Sequence, residues 1–72
     1  MQRYNLEGEE FIPLCDLLKL LGLCQTGGHA KLVISEGEVL VDGEIELRKR
    51  CKIRLGQIVE YNGEKIEIHN HS

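Results

Sequence analysis

Tryptophan is absent from this 72-residue chain, and Tyr4, Phe11 and Tyr61 are its only aromatic side chains, so a surface of stacked aromatic platforms is not expected. Cysteine is scarce and odd in number: Cys15, Cys24 and Cys51 form no CxxC pair, which excludes a disulfide framework or a zinc knuckle and fits free thiols in a reducing cytosol. Long apolar runs are missing as well. The longest, residues 14–24, is interrupted by Asp16, Lys19 and Gly22 and is about half of the roughly 20 residues a bilayer requires. The amino-terminal segment carries Glu7, Glu9 and Glu10 where a secretory signal needs a basic start and an apolar core. A soluble, cytoplasmic chain with no membrane contact is expected.

Catalytic groupings are lacking too. None of the twelve carboxylates sits in a marked apolar setting, and no Ser/His/Asp or Cys/His arrangement has recognisable local context. Neither an enzyme nor a cofactor site is expected. Cys15 and Cys51 read as small core fillers, whereas Cys24, beside a helix connection, reads as the thiol open to oxidation. His69 and His71 near the carboxyl end lack the further ligands a metal site needs, and residues 69–72 read as a frayed tail.

What remains fits one small globule. Hydrophobic residues make up 42% and charged residues 29%, a composition that buries a core and argues against disorder. The length suits a single domain spanning residues 1–72. A chain of this size buries only about 60–65% of its unfolded surface, so modest stability is expected; the sequence leaves the oligomeric state open, with a monomer favoured.

Charge is distributed unevenly. Arg48, Lys49, Arg50, Lys52 and Arg54 place five of the nine basic residues in seven positions, and the rest of the chain, with four basic residues against twelve acidic ones, balances at −8. Charge of one sign gathered in this way attracts an anionic partner, a nucleic-acid backbone first among them. Read as an extended run, the segment puts Arg48, Arg50, Lys52 and Arg54 on one wet face, spaced by about 7 Å, and Leu47, Cys51 and Ile53 on a buried one. If the run is instead a loop, the charge density survives and this ordering does not; the plainer alternative is a solvated edge that keeps the sheet from pairing with another chain.

Elements follow from periodicity and turn chemistry. Pro13 ends an extended amino-terminal segment at Ile12, after which Leu14, Leu17, Leu18 and Leu21 recur at helical spacing up to Gly22. Thr26 is the N-cap of a second helix whose inner face is Ala30, Val33 and Ile34, and Gly37 ends it. The period then changes to two. Val39 and Val41 lead to the Asp42-Gly43 turn and on to Ile45 and Leu47, and residues 58–61, the Asn62-Gly63 turn and residues 65–68 form a second hairpin. Two short antiparallel helices on a small antiparallel sheet of hairpins is an α+β arrangement.

The second feature with chemical content is Thr26-Gly27-Gly28-His29. Glycines at a helix start let a backbone come close, and the free N–H groups and positive dipole end suit a phosphate oxygen. Lys31 adds a cation one turn on, and His29 adds a proton-dependent contact. Flexible chain at a helix start is the plainer reading of the pair.

From Gly22-Leu23 through Thr26, Ala30, Lys31, Ile34, Gly37, Val39 and Val41 to Gly43, the chain resembles the signature of the RNA-binding domain first known from ribosomal protein S-four, the alpha-L motif. Those positions stand where the family pattern has Gly-Leu, Ser, Ala, Arg, Ile, Gly, Val, Val and Gly. Gly56-Gln57-Ile58-Val59 is similar to the family's Gly-Asp step into the final strand, and the resemblance covers about residues 12–61. Gly27 stands where many members carry arginine, and Gln57 replaces the usual aspartate. The paired glycines and the Arg48-Lys49-Arg50-Cys51-Lys52 run resemble instead the YbcJ-like stand-alone branch.

The resemblance implies a non-catalytic binder of structured RNA, ribosomal RNA foremost. Thr26, Gly27, Gly28, His29 and Lys31 would line one side of the RNA surface and Arg48, Lys49, Arg50, Lys52 and Arg54 the other, with recognition by shape and phosphate contact. A second reading is an adaptor whose basic strip docks on an acidic partner, such as a ribosome-associated protein.

Overall fold

The structure, a computed structural model, describes residues 2–70. Leu14, Leu17 and Leu18, which share one face at helical spacing, are all buried in helix α1 (Leu14–Leu20). No side chain caps the start of α1; the Leu14 N–H donates to the Cys51 carbonyl at 2.9 Å and the Cys15 N–H to the Lys49 carbonyl at 3.1 Å. Two donors that a helix start leaves orphaned are thus satisfied by backbone from the basic segment. At the other end Gly22, at φ +75°, takes the left-handed position, its N–H bonding Lys19 O while Leu23 N–H bonds Leu18 O. That pair of bonds is a Schellman closure.

Helix α2 (Gly27–Ser35) begins as its sequence predicts, with the Thr26 hydroxyl accepting from His29 N–H at 3.0 Å. It buries Ala30, Val33 and Ile34 and ends in a second Schellman closure at Gly37, where Glu38 N–H bonds Val33 O. The two helices lie against each other.

Strands β1 (Gln2–Asn5), β2 (Ile12–Pro13), β3 (Val39–Val41), β4 (Glu44–Ile45), β5 (Lys52–Ile53), β6 (Ile58–Tyr61) and β7 (Glu64–His69) make two sheets. One has the order β1-β7-β6-β3-β4; the other is the pair β2-β5. Both predicted hairpins are present. Asp42 and Gly43, like Asn62 and Gly63, have positive φ at both turn positions, the backbone that matches strand twist and that Asp-Gly and Asn-Gly accept. Register aligns Val41, Val59 and Ile66 across three strands on the core side, where they meet Leu14, Leu17, Leu18, Ile34 and Ile53 in one cluster.

Two expectations change. The larger sheet is mixed, because the amino-terminal segment forms β1 and pairs parallel with β7, Gln2 opposite Ile66. His69 ends a paired strand, and the Asn70 side chain accepts from Gly8 N–H at 2.8 Å and donates to Glu9 O at 3.2 Å. Positions 69 and 70 are therefore tied down; His71 and Ser72 lie outside the described residues. Among the described residues no helix is long and apolar enough to cross a membrane.

Candidate functional site

Segment 48–54 is not one extended run. Residues 48–51 form a turn closed by Cys51 N–H on Arg48 O at 3.2 Å, and only Lys52 and Ile53 are strand. The expected alternation holds where the strand exists, with Cys51 and Ile53 buried and Lys52 and Arg54 exposed. It fails upstream: Leu47, assigned to the core side, is 59% exposed. Ile45, two positions before it and within β4, is likewise 61% exposed, so the pleat places both apolar side chains on the outward face.

The turn gathers the cations instead of spreading them. Arg48, Arg50, Cys51, Lys52 and Arg54 line an open depression of about 570 Å³ in which no carboxylate takes part. Lys49 is exposed beside it, its carbonyl committed to α1. Fixed charges of one sign around a concave surface concentrate counter-ions.

One of the five is already paired. The Arg48 side chain donates to Glu46 from Nε at 2.9 Å and from an NH₂ group at 3.0 Å, and Arg48 N–H adds a third bond at 3.0 Å. These bonds hold the Glu46 carboxyl down at about 2 and push Arg48 further up. Charge counting missed this pair, although Glu46 stands two residues away in the sequence. Cys51 Sγ lies 3.5 Å from both Glu46 Oε1 and an Arg48 nitrogen. Burial is the main cause that raises its thiol pKa, followed by the Glu46 charge.

Sequence reasoning also set Phe11 aside. β2 pairs with β5 as Ile12 opposite Ile53 and Pro13 opposite Lys52, and one more step of that register sets Phe11 across from Arg54. Ile12 and Ile53 fill the core side, so Phe11 falls on the outer face with the cations. Lys52 Nζ is 5.1 Å and Arg54 Cζ 5.4 Å from the Phe11 ring centroid. The basic surface thus includes an aromatic ring.

Gln57 has a defined task where the resemblance expected aspartate. Its Oε1 accepts from Arg54 N–H at 2.7 Å, and its amide reaches Asp42 Oδ2 at 3.4 Å. Asp42 Oδ1 in turn accepts from Ile58 N–H at 2.9 Å. The turn after β5 is anchored to the first hairpin by a neutral side chain that places no charge next to Arg54.

The start of α2 stands apart. Gly28, His29 and Lys31 are exposed and Gly27 half-buried; no acidic residue lies in the first turn, and a side chain at Gly27 would meet nothing within 4 Å. The geometry leaves this helix end open to an anion. Among the described residues, however, no hydrogen bond, ion pair or ring contact joins it to the depression, which residues 48–54 line by themselves. Cys24 differs from expectation: it is 2% exposed, with its thiol pKa raised by burial, and is poorly suited to oxidation from solvent.

A mixed sheet carrying two helices, with a cationic concavity beside the start of α1, makes a small α+β domain. Residues 4–69 match the family model described as the S4 domain, and the chain belongs to that family. It is 46% identical over 68 residues to the putative RNA-binding protein YbcJ of Escherichia coli K12, covering 94% of this chain and 97% of the relative. It is also 44% identical over 54 residues to the probable ribosome maturation protein RlbA of Bacillus subtilis 168, covering 75% and 76% of the two chains. The solution structure of E. coli YbcJ, described as revealing an alpha-L motif involved in RNA binding, superposes with a TM-score of 0.74 at 45% identity, over 96% of this chain and 87% of that one.

Proposed function

We propose that this protein is a non-catalytic RNA-binding protein, a single domain that takes structured RNA, ribosomal RNA foremost, against the depression lined by Arg48, Arg50, Lys52 and Arg54. The observation that carries the reading is the gathering of four cations around one concavity with no carboxylate in its lining, in a chain whose relatives are named for RNA binding and ribosome maturation. Phosphates fill such a surface as spaced, single negative charges, and the start of α2, with Lys31, offers a second point of contact along the same backbone. Recognition then rests on RNA shape.

Charge reversal at Arg50, Lys52 and Arg54 to Glu tests this, with folding followed by circular dichroism and binding measured on ribosomal RNA fragments, duplex DNA and cell lysate. Structured RNA binding should be lost while the fold is kept. For the parent, in which Glu46 already holds Arg48, three phosphate contacts at Arg50, Lys52 and Arg54 give a log–log salt slope of about −2 to −3. Normal RNA binding by the folded variant, or a flat salt response of the parent, would remove the proposed surface. Capture of a protein from lysate through the basic strip, with no RNA bound, would favour an adaptor.

A further inference from the structure

The depression holds more than a phosphate requires. It is open and lined by Arg48, Arg50, Cys51, Lys52 and Arg54, and Phe11 stands beside this lining, against Lys52 and Arg54. Lys52 and Arg54 both lie over the Phe11 ring, and among the described residues neither has a carboxylate partner. Two like charges over one ring repel each other, and the ring's quadrupole only partly offsets that. The arrangement is completed by a ligand that brings an anion to the cations and a flat apolar face to the ring and guanidinium.

A nucleotide has both. The phosphate matches Arg48, Arg50 and Lys52 at the wall, and a base matches the planar guanidinium of Arg54 backed by Phe11. The ring is fixed for this task, since its neighbour Ile12 is anchored in the core and Pro13 is tied into the β2-β5 pair. Gln57 adds to the fit: by holding Arg54 N–H without a charge, it leaves the guanidinium free to stack.

We infer that Phe11 and Arg54 form a stacking platform for one unpaired nucleobase, so that the RNA taken by this surface carries a bulged or extruded nucleotide beside a helical phosphate backbone. This rests on the RNA-binding reading and refines its ligand. A base inside an A-form helix presents no free face, whereas a bulged one can stack on an arginine plane.

The test uses three RNA hairpins identical except at one position: a single bulged 2-aminopurine, an abasic bulge, and a fully paired stem. The parent should bind the 2-aminopurine bulge about 5- to 140-fold more tightly than the abasic one, the range for one stacked base, and should quench its fluorescence. Phe11→Leu should abolish that preference, so that the variant binds the 2-aminopurine and abasic bulges equally. Should Phe11→Leu fail to fold, Arg54→Lys, which keeps the charge and loses the plane, should do the same. Phe11→Trp supplies a fluorophore in a chain with no tryptophan, and its emission should change with the 2-aminopurine bulge and not with the paired stem. Equal, salt-sensitive binding of all three RNAs would overturn the stacking platform and leave the phosphate surface standing. Binding to none would overturn both.

Discussion

Arg48 and Glu46 are joined by three hydrogen bonds of 2.9 to 3.0 Å, two from the guanidinium and one from the backbone N–H. The pair fixes the chain where β4 ends and the basic turn begins, and it removes one positive charge from the surface facing a ligand. Positioning and charge therefore oppose each other at this residue, which gives a first prediction.

Glu46→Gln should bind RNA more tightly than the parent at low salt and steepen the log–log salt slope by about 0.7–0.9, one further phosphate contact. It should also change the pH profile of stability. With its folded value depressed from the ordinary 4.5 to about 2, Glu46 contributes stability that is present above pH 4.5 and lost as pH falls from there towards 2. Because Arg48 is largely solvent-exposed, that contribution should be on the order of 1 kcal/mol or less. Denaturant melts of parent and variant between pH 2 and 7 should converge at the acid end.

Gln57→Glu keeps an oxygen within reach of Arg54 N–H while placing a charge beside the Arg54 side chain and against Asp42. RNA affinity should fall and the salt slope should flatten by about 0.7–0.9, with little loss of fold. Titrations at several salt concentrations read this directly.

The three thiols should report burial. Cys15, Cys24 and Cys51 are 2%, 2% and 8% exposed, and burial raises the pKa of both Cys24 and Cys51, so thiolate is scarce at neutral pH. A thiol-reactive disulfide reagent should modify the native protein about tenfold or more slowly than the denatured chain. Cys51, on the wall of the depression, should react first, and bound RNA should protect it. Early labelling of Cys24 would contradict its placement.

Asp42 combines a left-handed turn backbone, φ 52°, with a side chain that holds Ile58 N–H. Asp42→Ala loses both the bond and the residue preference and should cost about 1–3 kcal/mol. Asp42→Asn keeps an acceptor oxygen and tolerates the backbone, and should recover most of that loss in thermal or denaturant melts.

What could be read in the sequence was local. Asp42-Gly43 and Asn62-Gly63 specify their hairpins within four residues, and Thr26 and Gly37 mark the two ends of α2 by chemistry that acts over one turn. β1 was hidden because Gln2, Arg3 and Asn5 are exposed and show no alternation; its partner is 64 positions away. The basic turn was misread for a related reason. Residues 47–54 imitate a period of two, and the contact that bends them, Arg48 back onto Glu46, is made by side chains that any extended reading points into solvent. Phe11 entered the site only through the β2-β5 pair, a two-residue ladder too short to leave a periodic trace. The candidate site was therefore legible in its charges and not in its shape.

The parallel pairing of β1 with β7 has a consequence for how the protein keeps its own company. Closing a loop of 64 residues gives β1 the largest entropic cost of any element in the sheet, and as an edge strand with no fully buried residue it should be among the first to detach in a thermal fluctuation. When it leaves, the β7 edge over Ile66, Glu67, Ile68 and His69 is uncovered and becomes a template on which a second chain could nucleate. Arg3, at the centre of β1 and opposite Glu67, sets a charge on the intact edge, which disfavours pairing with a further strand there.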